Sequence, residues 1–193
     1  MRANANSLAM PVLLACLCAL PAGSAVERSS PNPHLRDTHS AYLQRASREP
    51  VEWYPWGAGA WRRALETDRP ILLDLGAIWC SFCQQMDRES YSQPDTADFI
   101  NRHFVAVKVD YDAQPELAAT LERAQAVMNL PAGLPLTAFL SPSGKLYFGG
   151  GYFPARPSRG KPAFRQVLGQ ALRMYREQRT EIERDGFEVT QGE

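Results

Sequence analysis

The most constraining feature of this chain is a pair of cysteines that follows an apolar run. Ile71-Leu72-Leu73-Asp74-Leu75 ends five residues before the first cysteine of Trp79-Cys80-Ser81-Phe82-Cys83. A short apolar run of this kind is typical of a strand that is buried on both faces. A helix is predicted to begin at the cysteines and to continue to about residue 90. The pair is therefore predicted to lie at a strand-to-helix turn.

This position is expected to give the two sulfurs different properties. Disulfide exchange requires a thiolate, whereas a free cysteine with a pKa of about 8.5 is mostly protonated at neutral pH. We expect the Cys80 thiolate to be stabilised, because unpaired backbone N–H groups and the helix dipole favour negative charge at a helix N-terminus. Cys83 lies one turn deeper and is predicted to resolve a mixed disulfide by forming the Cys80–Cys83 disulfide. Because the two sulfurs carry the electrons, we expect no further cofactor.

Two other uses of the cysteine pair remain open at this point. A structural disulfide across four residues closes so small a loop that its entropic stabilisation is the smallest available. A zinc site would need about four ligands, and the other candidate ligands, His34, His39 and His103, are single and scattered. We therefore favour redox chemistry and expect no metal.

The N-terminal segment is typical of an exported protein. Arg2 precedes an apolar run over residues 8–20 and a segment of small residues, so residues 1–25 are predicted to be a signal peptide that is cleaved after Ala25. Lipid attachment at Cys16 is the alternative, because Leu13-Leu14-Ala15 precedes it. The polar residues 26–38 are predicted to be a flexible leader, and residues 39–193 a single domain.

Composition narrows the partners of the mature chain. The sequence has 21 basic and 21 acidic side chains, so loss of Arg2 with the signal peptide leaves 20 basic against 21 acidic. This balance argues against nucleic acid or an anionic membrane surface as a partner. No later segment approaches the ~18 apolar residues of a membrane span, so we expect no membrane insertion of the mature protein. We also expect a monomer. Only Cys80 and Cys83 remain of the four cysteines, which is too few for a disulfide-stapled scaffold.

Strand and helix patterns alternate along the domain in the order β-α-β-α-β-α-β-β-α, in which the second helical position holds two helices, residues 80–90 and 94–102. This order is typical of an α/β fold with a central sheet covered by helices on both faces. The predicted strands cover residues 51–53, 71–75, 104–109, 136–140 and 145–148. The predicted helices cover residues 58–67, 80–90, 94–102, 115–129 and 164–175, and the charged tail 176–185 is predicted to be the solvated end of the last helix.

The apolar strand, the Trp-Cys-x-x-Cys motif and Gly133-Leu134-Pro135 together resemble thioredoxin. The resemblance implies the thioredoxin fold, with a central mixed sheet flanked by helices. It implies that Asp74, six residues before the first cysteine, is a buried acid that exchanges a proton with the resolving cysteine. It also implies a cis bond before Pro135, packed against the cysteine pair, and a backbone there that pairs with a substrate strand. The predicted catalytic residues are Cys80, Cys83, Asp74, Trp79 and Pro135, and the predicted substrate contacts are Leu134, Pro135 and Trp79.

A closer resemblance, over residues 39–155, is to the thioredoxin-like domain of the spermatogenesis-associated thioredoxin-like proteins. Those proteins continue into a long helical, glycosidase-like region that these 193 residues do not contain. They usually have serine in place of Asp74 and His-Trp between the cysteines, so Asp74 makes this chain more similar to working thioredoxins. The segments that carry the resemblance are Tyr42-Leu43, Pro50-Val51-Glu52-Trp53-Tyr54-Pro55-Trp56-Gly57, Met86-Asp87-Arg88-Glu89-Ser90-Tyr91, His103-Phe104-Val105-Ala106-Val107-Lys108-Val109-Asp110 and Gly150-Gly151-Tyr152-Phe153-Pro154.

The sequence therefore predicts an exported thiol:disulfide oxidoreductase, located in a bacterial periplasm, that acts on protein disulfides. Ser81 and Phe82 bring no cation to Cys80, so its thiolate is expected to be less stabilised than in strongly oxidising relatives with histidine there. A less stabilised thiolate gives a more reducing protein, which favours a reductase that is recharged by a membrane electron donor. The alternative is a non-catalytic binding module, or a metal or protein chaperone, on the same fold.

Overall fold

The computed structural model describes Met1 and residues 32–189 of the chain. Apart from Met1, the predicted signal peptide, the alternative lipid site at Cys16 and residues 26–31 of the predicted leader lie outside the described residues. Among the helices of the described part, none combines the length and the apolar character needed to cross a membrane.

A mixed sheet forms the centre of the described domain, with the strand order β1-β3-β2-β4-β5-β6. The pairs β1–β3 and β3–β2 are parallel, whereas the pairs β2–β4, β4–β5 and β5–β6 are antiparallel. This arrangement confirms the predicted α/β fold with a mixed central sheet. The strands are β1 (Trp53–Pro55), β2 (Ile71–Gly76), β3 (Val105–Asp110), β4 (Leu136–Leu140), β5 (Lys145–Gly150) and β6 (Phe187–Glu188).

Helices pack on both faces of this sheet. Buried residues of α2 and α5 belong to one apolar cluster, and those of α1, α3, α4 and α6 belong to the other. The helices are α1 (Ala41–Ala46), α2 (Ala58–Thr67), α3 (Ser81–Met86), α4 (Pro94–His103), α5 (Pro115–Val127), α6 (Phe164–Glu177) and α7 (Arg179–Asp185). A 3₁₀ turn (Pro33–Leu35) precedes α1, and a π-helical turn (Asp87–Tyr91) continues α3.

The central strand β2 separates the two apolar clusters and positions the acid of the predicted site. Ile71, Leu73 and Leu75 belong to the cluster beneath α2 and α5, and Leu72 belongs to the opposite cluster. Successive side chains of a strand point to opposite faces of the sheet. Asp74 therefore shares the face of Leu72, which is the face that also carries Cys83.

The first strand differs from its prediction. Residues 51–53 were expected to form it, but β1 begins at Trp53 and its residues 53–55 pair with residues 106–108 of β3. Pro55 is tolerated because β1 lies at the edge of the sheet, where a missing N–H leaves no neighbour unpaired. Helix α1 was not predicted, since only Ser40, whose hydroxyl accepts from the N–H of Leu43, marks its start.

Both ends of the described chain are more ordered than predicted. Residues 32–38 were assigned to a flexible leader, but Leu35 is buried and Asn32 donates its amide N–H to the carbonyl of Val51 at 3.3 Å. The charged tail was expected to be a solvated helix end. Instead α7 buries Ile182, and β6 pairs with β5. In both segments, a few apolar side chains among polar ones anchor the backbone to the core.

Candidate redox site

Cys80 and Cys83 form a disulfide at the start of α3. Cys80 is the N-cap residue of this helix, and its sulfur accepts a hydrogen bond from the backbone N–H of Cys83 at 3.1 Å. Cys80 is 7% exposed and Cys83 is 1% exposed. The pair therefore lies at the predicted strand-to-helix turn, and Cys80 is the more accessible sulfur.

An apolar pocket of about 450 Å³ opens in front of Cys80. Trp79 and Phe82 line it and are 62% and 57% exposed, which is unusual for large apolar side chains. Leu134 also lines the pocket, and the Leu134–Pro135 peptide bond is cis, as the thioredoxin resemblance implies. Two of the predicted substrate contacts, Trp79 and Leu134, thus line the same pocket as Cys80. The third, Pro135, follows Leu134 in the chain and is buried.

The ring of Trp79 is held in place at the edge of this pocket. Its indole N–H donates to Asp112 Oδ2 at 2.8 Å, and its ring meets the ring of Tyr111 edge-on at 6.2 Å between centroids. Both partners lie just after β3, which ends at Asp110. No local sequence pattern connects Asp112 with Trp79, because 33 residues separate them.

Asp74 lies behind the disulfide and is 1% exposed. Its carboxylate accepts a hydrogen bond from the hydroxyl of Tyr42 at 2.9 Å and one from the hydroxyl of Tyr91 at 3.2 Å. Lys108 Nζ lies 3.1 Å from Asp74 Oδ2. The predicted buried acid therefore has three polar partners, none of which the sequence analysis assigned to the site.

Lys108 is the centre of this buried polar cluster. It is fully buried, and its ammonium lies 2.7 Å from Asp87 Oδ1 and 3.8 Å from Glu49 Oε2, as well as near Asp74. It also lies over the ring of Trp53 at 4.5 Å from the centroid, and the indole N–H of Trp53 donates to Glu49 at 2.7 Å. One cation therefore faces three carboxyl groups away from water.

Burial and charge shift the pKa values of this cluster in opposite senses. Burial alone would lower the pKa of Lys108, but the carboxylates of Asp74 and Glu49 reverse the effect and hold it well above its usual value. Burial raises the pKa of Glu49 to about 7, against the opposing effect of Lys108. Burial also raises the pKa of Asp87, whose Oδ2 is buried without a hydrogen-bond partner among the described residues. The cluster thus favours binding a proton in addition to the one on Lys108.

Gly76, the last residue of β2, brings the acid cluster next to the resolving sulfur. A Cβ atom built on Gly76 would clash with the hydroxyl oxygen of Tyr42 and would lie 3.1 Å from Cys83 Sγ. Any side chain there would displace the Tyr42 ring. Glycine at this position therefore allows the phenol that donates to Asp74 to approach the sulfur of Cys83.

Comparison with known proteins identifies the family. The sequence profile of the family Thioredox_DsbH, described as a protein of unknown function, DUF255, matches residues 32–192. The chain belongs to this DUF255 family.

Relatives of this DUF255 chain are much longer than the chain itself. An uncharacterized protein of Caenorhabditis elegans is 30% identical over 155 residues, which are 80% of this chain and 21% of that protein. Spermatogenesis-associated protein 20 of Rattus norvegicus is 28% identical over 179 residues, 89% of this chain and 23% of that protein. The chain therefore spans about a fifth of the length of these curated relatives, which bear out the resemblance to the spermatogenesis-associated proteins.

A solved structure of a DsbH oxidoreductase shares the fold. It is 21% identical to this chain, with a TM-score of 0.50 over 64% of this chain and 85% of that one. The DUF255 domain described here thus has a thioredoxin-like fold, in agreement with the Thioredox_DsbH family profile that it matches. Its fold and its Cys80–Cys83 disulfide support a general thiol–disulfide redox role.

The site residues that sequence reasoning missed belong to the buried polar cluster around Asp74 and Lys108. Tyr42, Glu49, Asp87 and Tyr91 are spread over almost fifty residues, and no local pattern connects them. One signal was present in the sequence. Lys108 interrupts the apolar run of β3, and a lysine in a strand buried on both faces requires buried acids as partners.

Proposed function

We propose that this protein reduces disulfide bonds in polypeptide substrates, with Cys80 as the attacking sulfur and Cys83 as the resolving sulfur. The observation that carries the proposal is the placement of a disulfide between two different environments. In front of Cys80 lies an exposed apolar pocket, and behind Cys83 lies a buried acid cluster. A structural disulfide would need neither of these surroundings.

The pocket supports a polypeptide as substrate. Trp79, Phe82 and Leu134 offer apolar contact area beside a sulfur that remains accessible. Large exposed apolar side chains grouped in this way are typical of surfaces that bind another protein. A substrate segment that covers them would bring its own disulfide to Cys80.

The reaction transfers two electrons from the protein to the substrate. In the reduced protein, the Cys80 thiolate attacks one sulfur of the substrate disulfide and forms a mixed disulfide, and the first substrate sulfur leaves and takes up a proton. Cys83 then loses its proton and attacks Cys80 Sγ, which releases the second substrate sulfur as a thiol. The product is the Cys80–Cys83 disulfide, which the dithiol of a membrane electron donor reduces again.

The acid cluster supports the second step. The Tyr42 hydroxyl donates to Asp74 and, like Cys83 Sγ, borders the Cβ position of Gly76. In the reduced protein, Tyr42 can accept the proton of Cys83 while it passes its own proton to Asp74. Burial holds the pKa of Tyr42 well above its usual value, so the phenol keeps a proton before and after the transfer. Tyr42 thereby extends the predicted proton exchange between Asp74 and Cys83.

The surroundings of Cys80 favour the reducing direction. Among the described residues that line its pocket there is one acid, Glu122, and no basic side chain. A thiolate without a nearby cation is less stabilised, and a less stabilised thiolate corresponds to a more reducing pair. The signal-peptide pattern of residues 1–25 supports a periplasmic location for this reductase. We propose that it acts as a monomer.

Electron transfer to a peptide disulfide tests the function directly. When the reduced protein is mixed with an equimolar peptide that contains one disulfide, we expect the peptide to gain two thiols as the protein loses two. Acid quenching, thiol labelling and mass spectrometry measure both changes. Protein alkylated beforehand at both cysteines is the control and should leave the peptide oxidised. Tight peptide binding without any reduction, unchanged when both cysteines are serine, would instead support the binding-module alternative.

The proton route predicts that two variants slow the same step. Asp74→Asn should slow the release of the mixed disulfide by about 100-fold, the lower range for loss of a general base. Tyr42→Phe should slow it by roughly tenfold, since the carboxylate can still act through a less direct path. Attack by Cys80 should be unchanged in both variants. Stopped-flow measurement with a chromogenic aromatic disulfide separates the two steps.

Tyr91→Phe is the matched control for this prediction. It removes a hydroxyl that donates to the other oxygen of Asp74. Tyr91 is not among the residues nearest to the Cβ position of Gly76, which are Tyr42 and Cys83, so its hydroxyl lies outside the proposed route. Its effect on release should be smaller than that of Tyr42→Phe. The double variant Asp74→Asn/Tyr42→Phe should be no slower than Asp74→Asn alone, because two groups in series are not additive. Equal slowing of attack and release would refute the route.

A further inference from the structure

A second cleft, of about 1030 Å³, begins at the helix that carries the cysteines. Phe82 lines both this cleft and the pocket at Cys80, so its ring forms a wall common to the two. The ring of Tyr152 continues the apolar wall, with 5.9 Å between the two ring centroids. A chain segment seated at Cys80 can therefore pass over Phe82 into the cleft.

Positive charge dominates this cleft. Five basic side chains line it, against the two acids Glu89 and Asp95, although the whole chain has equal numbers of basic and acidic residues. Within residues 32–189, none of the five forms an ion pair with a carboxylate. The basic residues are Arg88, Arg156, Arg159, Lys161 and Arg165.

Three of these cations are available to a ligand. Arg165 lies over the ring of Phe99, and Lys161 donates to the carbonyl of Tyr152 at 3.2 Å. Arg88, Arg156 and Arg159 are exposed. Glu89 forms no ion pair with them within residues 32–189, and its carboxylate instead accepts hydrogen bonds from Tyr152 and from the side chain of Gln85.

The turn that carries Arg159 is held in one conformation. Ser158 and Lys161 exchange two backbone hydrogen bonds, at 3.1 and 2.8 Å, across Arg159 and Gly160. Both enclosed residues have positive φ, 48° at Arg159 and 77° at Gly160. Asparagine, aspartate or glycine would fit the first of these positions at lower cost than arginine. An arginine there is unfavourable for the turn itself, which favours a role for its side chain.

We propose that this cleft binds an acidic stretch of the polypeptide whose disulfide is reduced at Cys80. The inference rests on the proposed function, since it names the class of substrate for the same site. Arginine side chains bind carboxylates through paired, charge-assisted hydrogen bonds. The acidic residues lie in the chain next to the substrate cysteine, because the cleft shares Phe82 with the Cys80 pocket.

Two peptides that differ only in charge test the proposal. Both contain the same internal disulfide, followed on one side by three glutamates or by three glutamines. At low salt, the reduced protein should reduce the glutamate peptide about tenfold faster, as expected for association between opposite charges. The difference should shrink at high ionic strength, because salt screens exposed charges.

Arginine variants locate the effect in the cleft. Arg156→Gln/Arg159→Gln should remove the preference for the glutamate peptide and leave the rate with the glutamine peptide unchanged. Arg62→Gln/Arg123→Gln is the matched control, because it removes two exposed arginines that line neither the cleft nor the Cys80 pocket. The control variant should keep the preference. Equal rates for the two peptides, or an equal loss in the control, would overturn the proposal.

Two further measurements separate this inference from the function on which it rests. If the arginine variant slows the reduction of glutathione disulfide but not of the glutamate peptide, the cleft serves a small molecule and the proposal is wrong. If neither peptide is reduced, the proposed function fails. The acidic-segment site is then tested separately, by fluorescence anisotropy with a glutamate peptide in which serines replace the two cysteines. Binding that Arg156→Gln/Arg159→Gln abolishes would uphold the acidic-segment site, and no binding to the unmodified protein would refute it.

Discussion

Cys83→Ser should turn the protein into a trap for its redox partners. Cys80 can still attack an exposed disulfide in this variant, but no second sulfur remains to displace the partner. We therefore expect catalytic turnover to be lost and mixed disulfides to accumulate. In the native compartment, acid quenching and non-reducing electrophoresis should show discrete bands of higher mass that reductant removes.

Cys80→Ser is the control, because it retains a cysteine that is only 1% exposed. It should form none of these bands. A few discrete bands would indicate a dedicated substrate or electron donor, whereas a broad smear would indicate a general reductase. If Cys83→Ser traps nothing while the unmodified protein still binds a partner non-covalently, the binding-module alternative replaces the proposed reductase.

Lys108→Met should destabilise the fold by about 3–5 kcal/mol, the usual cost of leaving buried charges without their partner. Methionine fills a similar volume, so the loss comes from the ammonium that Asp74, Asp87 and Glu49 share. The free energy of unfolding from urea titration at pH 7 measures this loss. Lys145→Met is the matched control, because its ion pair with Glu188 is open to solvent on the Glu188 side and contributes at most about 1 kcal/mol.

The loss in Lys108→Met should also depend on pH. Burial already raises the pKa values of Asp87 and of Glu49, the latter to about 7, against the opposing effect of Lys108, so loss of the ammonium should raise both further above those of the unfolded chain. A raised carboxyl pKa contributes stability at low pH that is lost as the pH rises through the folded-state value. The deficit relative to the unmodified protein should therefore be smaller at pH 5 than at pH 7. A deficit that is constant across this range would mean that packing, not charge, holds Lys108 in place.

Local sequence patterns predicted most elements because each element follows a local rule. Helix α2 has the predicted bounds, residues 58–67, since the residue before Pro70 disfavours helix. Strands β2, β3 and β4 followed from short apolar runs between polar segments. The ends of the chain escaped prediction, because single apolar residues such as Leu35 and Ile182 hold otherwise polar segments on the core.

The sequence by itself determined the redox pair and its position. The spacing of Cys80 and Cys83, directly after an apolar run, required a strand-to-helix turn with one outer and one inner sulfur. Only the tertiary structure decided what surrounds the pair. Parallel pairing of β2 and β3 places Asp74 opposite Lys108, helix α1 brings Tyr42 to both, and the loop after β5 brings Arg156 and Arg159 into the cleft lined by Phe82. These contacts join residues that are far apart in the chain. They depend on how whole elements pack together, and no local sequence pattern predicts that packing in the way that periodicity predicts a helix or a strand.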